Sequence, residues 1–200
     1  MINQYKYPKY QGPYRIHPPA LKTYKPDDFP FVQDMTDIGV PVIPKEVIFG
    51  VITWAGSQPC PMLFLSKNPD FYLQYLYYWP ENAVLGATIE SNCLHVNRFS
   101  KAPSPINRLE AMINLKKQLQ NLGRERRLFV SIEPIMRFSG DFITQLRKID
   151  PWGVAVGYDN YKNGLPEPSL AETKDFIAEL EDFTTVYIKT LRDPLPSEKP

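Results

Sequence analysis

The sequence predicts an α/β fold, a partial (β/α) barrel of the TIM-barrel type with about six parallel strands and five helices. Short apolar runs recur along the chain, amphipathic and capped stretches separate them, and polar or charged residues stand just past the last apolar position of each run. The most distinct run is Phe129-Val130-Ser131-Ile132-Glu133-Pro134-Ile135-Met136, an apolar strand that ends in a carboxylate and a proline. Runs of this kind alternating with helices imply a parallel sheet buried on both faces and joined by right-handed crossovers. An open doubly wound sheet also meets that description. The barrel is favoured because polar residues follow every strand, not only those around one switch point.

Residues 1–30 are rich in Tyr, Lys and Pro and show neither helical nor strand period, so they read as an extended arm. Two placements are open for the arm, a surface-hugging terminus or one that brings Arg15 and His17 to the mouth of a site. The barrel is expected over 31–193 and a loose tail over 194–200. Phe31-Val32 opens the first strand, followed by Asp34 and Asp37. A helix over 44–54 follows from the spacing of Val47, Ile48, Val51 and Ile52.

The second strand, 62–65, ends at Ser66-Lys67-Asn68, where Asn68 is placed to cap a helix that has Pro69 at its first position. That helix, over 69–78, carries Phe71, Tyr72, Tyr75, Tyr77 and Tyr78 before Trp79. Packing against a neighbouring helix or subunit explains this aromatic content more simply than base stacking does.

The third strand, 83–89, delivers Thr88, Glu90 and Asn92. After a loop with Cys93, His95 and Arg98, Ser104 caps and Pro105 opens a helix reaching 122, with Leu109, Met112, Ile113 and Leu119 on one face and Gly123 as its stop. Arg124, Arg126 and Arg127 form a basic turn at the far end from the strand C-termini, read as a solvated loop. Beyond the run that ends at Glu133-Pro134, Ser139-Gly140-Asp141 starts a short helix to 149, and a strand over 154–157 ends in Tyr158-Asp159-Asn160. Ser169-Leu170-Ala171-Glu172 is a capping-box pattern opening a helix to 180, and the last strand, 185–188, ends at Lys189.

Composition narrows the function classes. A 200-residue chain with 43% hydrophobic content can bury a full core without a disulfide or metal staple. With 23 basic and 22 acidic residues the net charge is +1, so nothing at whole-chain level calls for nucleic acid or an anionic membrane. The two cysteines do not make a disulfide framework, and neither a signal peptide nor an 18-residue apolar span is recognisable. A cytoplasmic protein is expected.

In βα barrels chemistry is assembled at the strand C-termini. Here that ring predicts Glu90, Glu133, Lys67 and Lys189 as candidates for catalytic work, and Asp34, Asp37, Asn68, Asn92, Asp159 and Asn160 as ligand-binding candidates. Facing carboxylates and lysines shift each other's pKa values, which suits acid/base work. The same groups can instead form a paired polar plug that satisfies local backbone. As a set they favour a site for a small-molecule ligand. Cys93 and His95 with Glu90 are a weak match to a metal-ligand spacing, and no metal is expected. Neither a Gly-rich phosphate loop nor a Gly-x-Ser-x-Gly elbow is present.

Six pieces, in order and at matching spacings, carry a resemblance: Arg15-Ile16-His17-Pro18, Phe31-Val32-Gln33-Asp34-Met35-Thr36-Asp37, Leu65-Ser66-Lys67-Asn68-Pro69, Leu85-Gly86-Ala87-Thr88-Ile89-Glu90, Val130-Ser131-Ile132-Glu133-Pro134 and Val156-Gly157-Tyr158-Asp159. Over 14–192 the chain resembles radical SAM-like phage and archaeal proteins of unknown function, distant relatives of spore photoproduct lyase. The resemblance implies a barrel that binds S-adenosylmethionine next to an iron-sulfur cluster held by a Cys-x3-Cys-x2-Cys motif upstream of the Arg-x-His-Pro piece. No cysteine precedes Tyr14 in this chain, and Cys60 and Cys93 lie too far apart to replace three clustered thiolates. An iron-sulfur cluster is therefore not expected from this chain alone. A partner chain or homodimer completing the barrel is expected, or else a relative that kept the binding mouth and lost the radical chemistry. Two other classes stay open, a cluster-independent acid/base enzyme using Glu90 and Glu133, and a viral or host protein-interaction module using the aromatic helix.

Overall fold

A computed structural model describes residues 22–32, 37–98, 100–161 and 163–195. Asp34, Arg15, His17 and residues 196–200 lie outside them. The strands are β1 (Phe31–Val32), β2 (Met62–Ser66), β3 (Ala83–Thr88), β4 (Arg127–Ile132), β5 (Gly153–Val156) and β6 (Thr185–Ile188). The helices are α1 (Lys45–Gly56), α2 (Phe71–Gln74), α3 (Pro105–Asn121), α4 (Phe142–Ile149) and α5 (Leu170–Glu181), with a 3₁₀ turn at Leu94–Arg98.

All six strands form one sheet in the order β1-β2-β3-β4-β5-β6, and every neighbouring pair is parallel. A doubly wound sheet reverses direction at a switch point, and this sheet never does. The chain winds one way throughout, as in a partial (β/α) barrel.

Strand periodicity divides the core into two layers. Met62, Phe64, Leu85, Ala87, Leu128, Val130, Ile132, Val154 and Val156 face the helices, and with Ile48, Ile52, Met112, Leu115, Phe142 and Ile177 they make the main core. Leu63, Val84, Phe129 and Ala155 face the other way, joined by Phe29, Leu65 and Tyr187. Two glycines make room for these large side chains. A Cβ at Gly86 would lie 2.6 Å from Leu65 Cδ2, and one at Gly153 would lie 2.9 Å from the Tyr187 ring. The described end of the arm packs at the strand N-termini: Phe29 stacks edge-on to Trp152 at 5.5 Å, and the Tyr24 N–H donates to Gln58 Oε1.

Local signals hold well. Ser104 accepts from the Asn107 N–H with Pro105 in the first turn of α3, Ser169 and Glu172 complete a capping box, and Gly123 sits at φ +62°.

Three expectations are corrected. The aromatic helix over 69–78 shrinks to the single turn α2, because Tyr72 is drawn into the sheet, where its hydroxyl donates to Phe64 O and Gly86 O, and Trp79 Nε1 donates back to Tyr72 O. Phe71, Tyr72, Tyr75 and Trp79 are buried, Tyr75 and Tyr78 meet Phe49 of α1, and Tyr77 and Tyr78 stay exposed. Asn68 does not cap α2. Asp70 holds the cap position, and the Asn68 side chain donates instead to Gly39 O. The basic turn is not simply solvated: Arg124 donates to Tyr77 O, Arg126 to Trp79 O, and Arg127 lies over the Trp152 ring.

Among the described residues no helix is long and apolar enough to cross a membrane.

Candidate functional site

The loops that leave the C-terminal ends of β3, β4 and β5 are joined through their backbones. Met136 N donates to Glu90 O, Ile135 N to Gly157 O, and Arg137 N to Pro166 O, while Val96, Met136 and Leu165 form a small apolar cluster beneath. This fixes the positions from which side chains converge.

After β2, Ser66 and Asp37 organise the turn. Asp37 accepts from Ser66 Oγ at 2.6 Å, the Lys67 N–H at 2.7 Å and the Gly39 N–H at 2.8 Å. Gly39 approaches this knot so closely that a Cβ would collide with Ser66 Oγ. The knot aims Lys67, whose Nζ lies 2.7 Å from Glu90 Oε1. On the other side of Glu90, Arg108 Nη1 is 2.8 Å from Oε2 and donates to Thr88 O. A row of cation, anion and cation thus spans the ends of β2, β3 and the first turns of α3, with side-chain exposures of 39%, 3% and 0%.

Burial holds the Arg108 guanidinium below its ordinary pKa, opposed by the charge and hydrogen bonding of Glu90 and by Asp37. Arg108 Nη1 donates to Thr88 O and pairs with Glu90 Oε2 at 2.8 Å, whereas Arg108 Nε and Nη2 have no hydrogen-bond partner among the described residues.

The other candidates fall into different settings. Glu133 is half-buried and accepts from Ser131 Oγ at 3.2 Å. Lys189 is exposed at the end of β6. Asn92 ties the β3 and β4 loops together, donating to Ser139 Oγ and Asp141 Oδ1 and accepting from the Ser139 N–H. Asp159 is buried and turned into its own loop, accepting from Tyr161 N, Asn163 N and Asn163 Nδ2. Asn160 accepts from Thr190 Oγ1 at an exposed position. The structure therefore brings Lys67, Glu90 and Asp37 together, and gives Asn68, Asn92, Asp159 and Asn160 loop-bracing partners.

Two residues of weight escaped sequence reasoning. Arg108 lies on the buried stripe of α3 with Leu109, Met112 and Leu115, and a charged residue at an apolar-face position was the signal that could have found it. Glu167 is buried and receives both terminal nitrogens of Arg192 at 2.8 Å, the Asp159 N–H and the Leu195 N–H, which pins the last described segment to the β5 loop. Its place between two prolines in a loop carried no periodic signal.

The cysteines do not suit an iron-sulfur cluster. Cys60 is buried just before β2, at the strand N-termini, with its thiol 3.7 Å from Met62 Sδ, whereas Cys93 lies past the C-terminal end of β3. The two sit at opposite ends of the sheet, and a cluster needs three clustered thiolates. Among the described residues no three His, Cys, Asp or Glu side chains group as metal ligands; the His95 side chain is outside them.

No family model matches the chain, and no curated protein matches it. Among solved structures it is similar to the HMG-CoA lyase from Brucella melitensis, at 12% identity and a TM-score of 0.48, over 78% of this chain and 56% of that one. It is also similar to Streptococcus suis SuiB, at 8% identity and a TM-score of 0.47, over 72% of this chain and 36% of that one. The chain thus spans about half the length of the first of these neighbours and about a third of the second. At such values the assignment of a partial (β/α) barrel rests on the order and direction of the chain's own strands.

Proposed function

We propose that this chain is a radical SAM-like barrel that does not build its own iron-sulfur cluster and binds a small polar ligand at the strand C-termini. S-adenosylmethionine or a nucleotide is the first candidate. The observation that carries the reading is the Lys67–Glu90–Arg108 row, which places two cations and a carboxylate at the end of the sheet where βα barrels assemble their sites. Structural ion pairs at a strand end usually close on themselves. This one retains unused buried donors.

The test is a melting-temperature screen of the purified chain against S-adenosylmethionine and adenine nucleotides, since a ligand that binds only the native state raises the midpoint. A saturable rise that is weakened in Lys67→Gln supports the reading; no rise with any of them removes it. The same proposal includes a partner chain or second copy beside β1 or β6, where the described sheet ends. Sedimentation equilibrium that returned a monomer at every concentration would remove the second copy.

A cluster-independent acid/base enzyme is the second reading, and the geometry favours Glu133 over Glu90 for it. Glu133 is half-buried, with Ser131 as its one hydrogen-bond partner among the described residues, whereas Glu90 is held between two cations as an electrostatic clamp.

A further inference from the structure

The net charge of +1 joins two unlike parts of the chain. Lys6, Lys9, Arg15, Lys22 and Lys25 all precede the first acidic residue, Asp27. The arm thus takes five of the 23 basic residues, and the rest of the chain holds the other 18 with all 22 acidic ones, a net of −4. Such an asymmetry within one chain points to a polyanionic partner for the basic part. Tyrosines narrow the class. Tyr5, Tyr7, Tyr10 and Tyr14 are interleaved with Lys6, Lys9 and Arg15, and Tyr24 stands between Lys22 and Lys25. Single strands of nucleic acid are held by this combination, cations along the phosphates and aromatic faces on which unpaired bases stack. A segment that lies on a membrane needs an apolar face, and Ile2, Ile16 and Leu21 are too few and too far apart to make one. An acidic peptide has no bases to stack, and a duplex keeps its bases stacked on each other.

The described junction of arm and body repeats the pattern. Lys22 Nζ lies 4.8 Å from the centre of the Tyr24 ring, which packs on Trp54, and Lys22 and Lys25 are exposed. Phe29 then meets Trp152, and the other neighbour of that ring is the guanidinium of Arg127, 5.0 Å from its centre. The arm therefore joins the body beside the basic turn, at the strand N-termini. None of Lys22, Lys25, Arg124, Arg126 and Arg127 forms a salt bridge among the described residues. Four carboxylates, Asp27, Asp28, Glu81 and Glu125, belong to the same end, so the turn and the junction alone are nearly balanced. The positive excess comes from the arm, which adds Lys6, Lys9 and Arg15 with no acid.

We propose that the arm, with Arg127 at its junction, binds single-stranded nucleic acid at the N-terminal end of the sheet. Arm cations follow the phosphates, arm tyrosines stack on bases, and the exposed Arg127 extends the track onto the body. This surface lies at the opposite end of the strands from the Lys67–Glu90–Arg108 row, so it stands apart from the ligand reading above.

The experiment is fluorescence anisotropy of a labelled oligothymidylate of about 12 nucleotides titrated with the full chain. The expected result is saturable binding that weakens about 20- to 100-fold between about 50 and 200 mM salt, the slope for three to five released counterions. The triple variant Lys6→Gln, Lys9→Gln, Arg15→Gln should weaken binding at least about tenfold with the melting temperature unchanged. Tyr7→Ala with Tyr10→Ala should weaken it about tenfold, and the Phe pair at the same positions should restore it, since a phenyl face stacks as well. No binding at about 50 mM salt, or binding that the triple variant leaves unchanged, overturns the proposal. Equal competition by polyglutamate, or tighter binding to vesicles containing phosphatidylserine, assigns the arm to another partner and overturns it too. Unchanged affinity in Arg127→Gln removes the body from the surface.

Discussion

Glu90 Oε2 and Arg108 Nη1 meet 2.8 Å apart with both side chains closed to solvent, and Lys67 reaches the other carboxylate oxygen from a position 39% exposed. The two cations are unequal partners. Removing the carboxylate strands a buried guanidinium, whereas removing the lysine frees a group that water can replace. Glu90→Gln should therefore destabilise the chain by about 3–5 kcal/mol, the cost of breaking a buried pair, and Lys67→Gln by no more than about 1 kcal/mol. Urea unfolding measures both, and equal losses would contradict the asymmetry.

Arg192 and Glu167 form the second buried pair. Glu167 is 1% exposed in its side chain, Arg192 is 25% exposed, and two of the arginine nitrogens reach the carboxylate. Arg192→Ala should cost about 2–3 kcal/mol and lower amide-exchange protection from 159 to 167. Arg192→Lys should recover only part of that loss, because a single ammonium does not span both oxygens as the guanidinium does. Full recovery by lysine would show that charge alone matters there.

The capping box at α5 gives a pH signature. Hydrogen bonds from the Ser169 side chain and backbone hold the Glu172 carboxyl below its ordinary pKa. A depressed carboxylate contributes stability that is present above its unfolded pKa and is lost as pH falls through the folded value. Ser169→Ala should cost about 1 kcal/mol at neutral pH through the lost cap. The gap between wild type and variant should narrow on acidification below the ordinary glutamate range, read from unfolding curves at several pH values. A constant gap would show that the Ser169–Glu172 contact is not the source.

Tyr72 gives the opposite limb. Burial pushes its phenol well above the ordinary tyrosine pKa, and the charge of Asp37 adds to the effect. A raised pKa means stability that is intact below the unfolded value and lost as pH rises. Tyr72→Phe removes the donor to Phe64 O and Gly86 O and should cost about 1–2 kcal/mol at neutral pH. Above about pH 10, where an unfolded tyrosine ionises, the wild type should lose stability more steeply than the variant. Parallel alkaline curves would remove Tyr72 as the cause.

Gly86 tests the packing of the layer that faces away from the helices. A Cβ there meets Leu65 Cδ2 at 2.6 Å and Phe129 O at 3.0 Å, and the backbone oxygen has little freedom to give way. Gly86→Ala should destabilise by about 1–3 kcal/mol through overpacking, measured by thermal unfolding. A neutral outcome would mean that the layer has slack.

What the sequence determined by itself was everything governed by neighbours along the chain. The six apolar runs, the Ser104–Pro105 start of α3, the Gly123 stop and the Ser169–Glu172 box are set by backbone hydrogen bonding and side-chain period over a few residues, and all are found where expected. The polar ring was legible as a set, because strand ends are visible in a pattern of apolar runs.

Which members of that ring meet was decided only by the tertiary structure. Asn68 and Asn92 read as site residues, yet they hold loops from other parts of the chain. Tyr72 read as part of a helix over 69–78 packed against a neighbouring helix or subunit, yet it reaches into the sheet and ends the helix early. Arg108 stands 18 positions after Glu90 on a helix, and no local rule joins a helix position to the end of the preceding strand. The crossover that brings α3 back over β3 makes the pair, and burial then gives its charge a consequence that the same residue would not have at the surface.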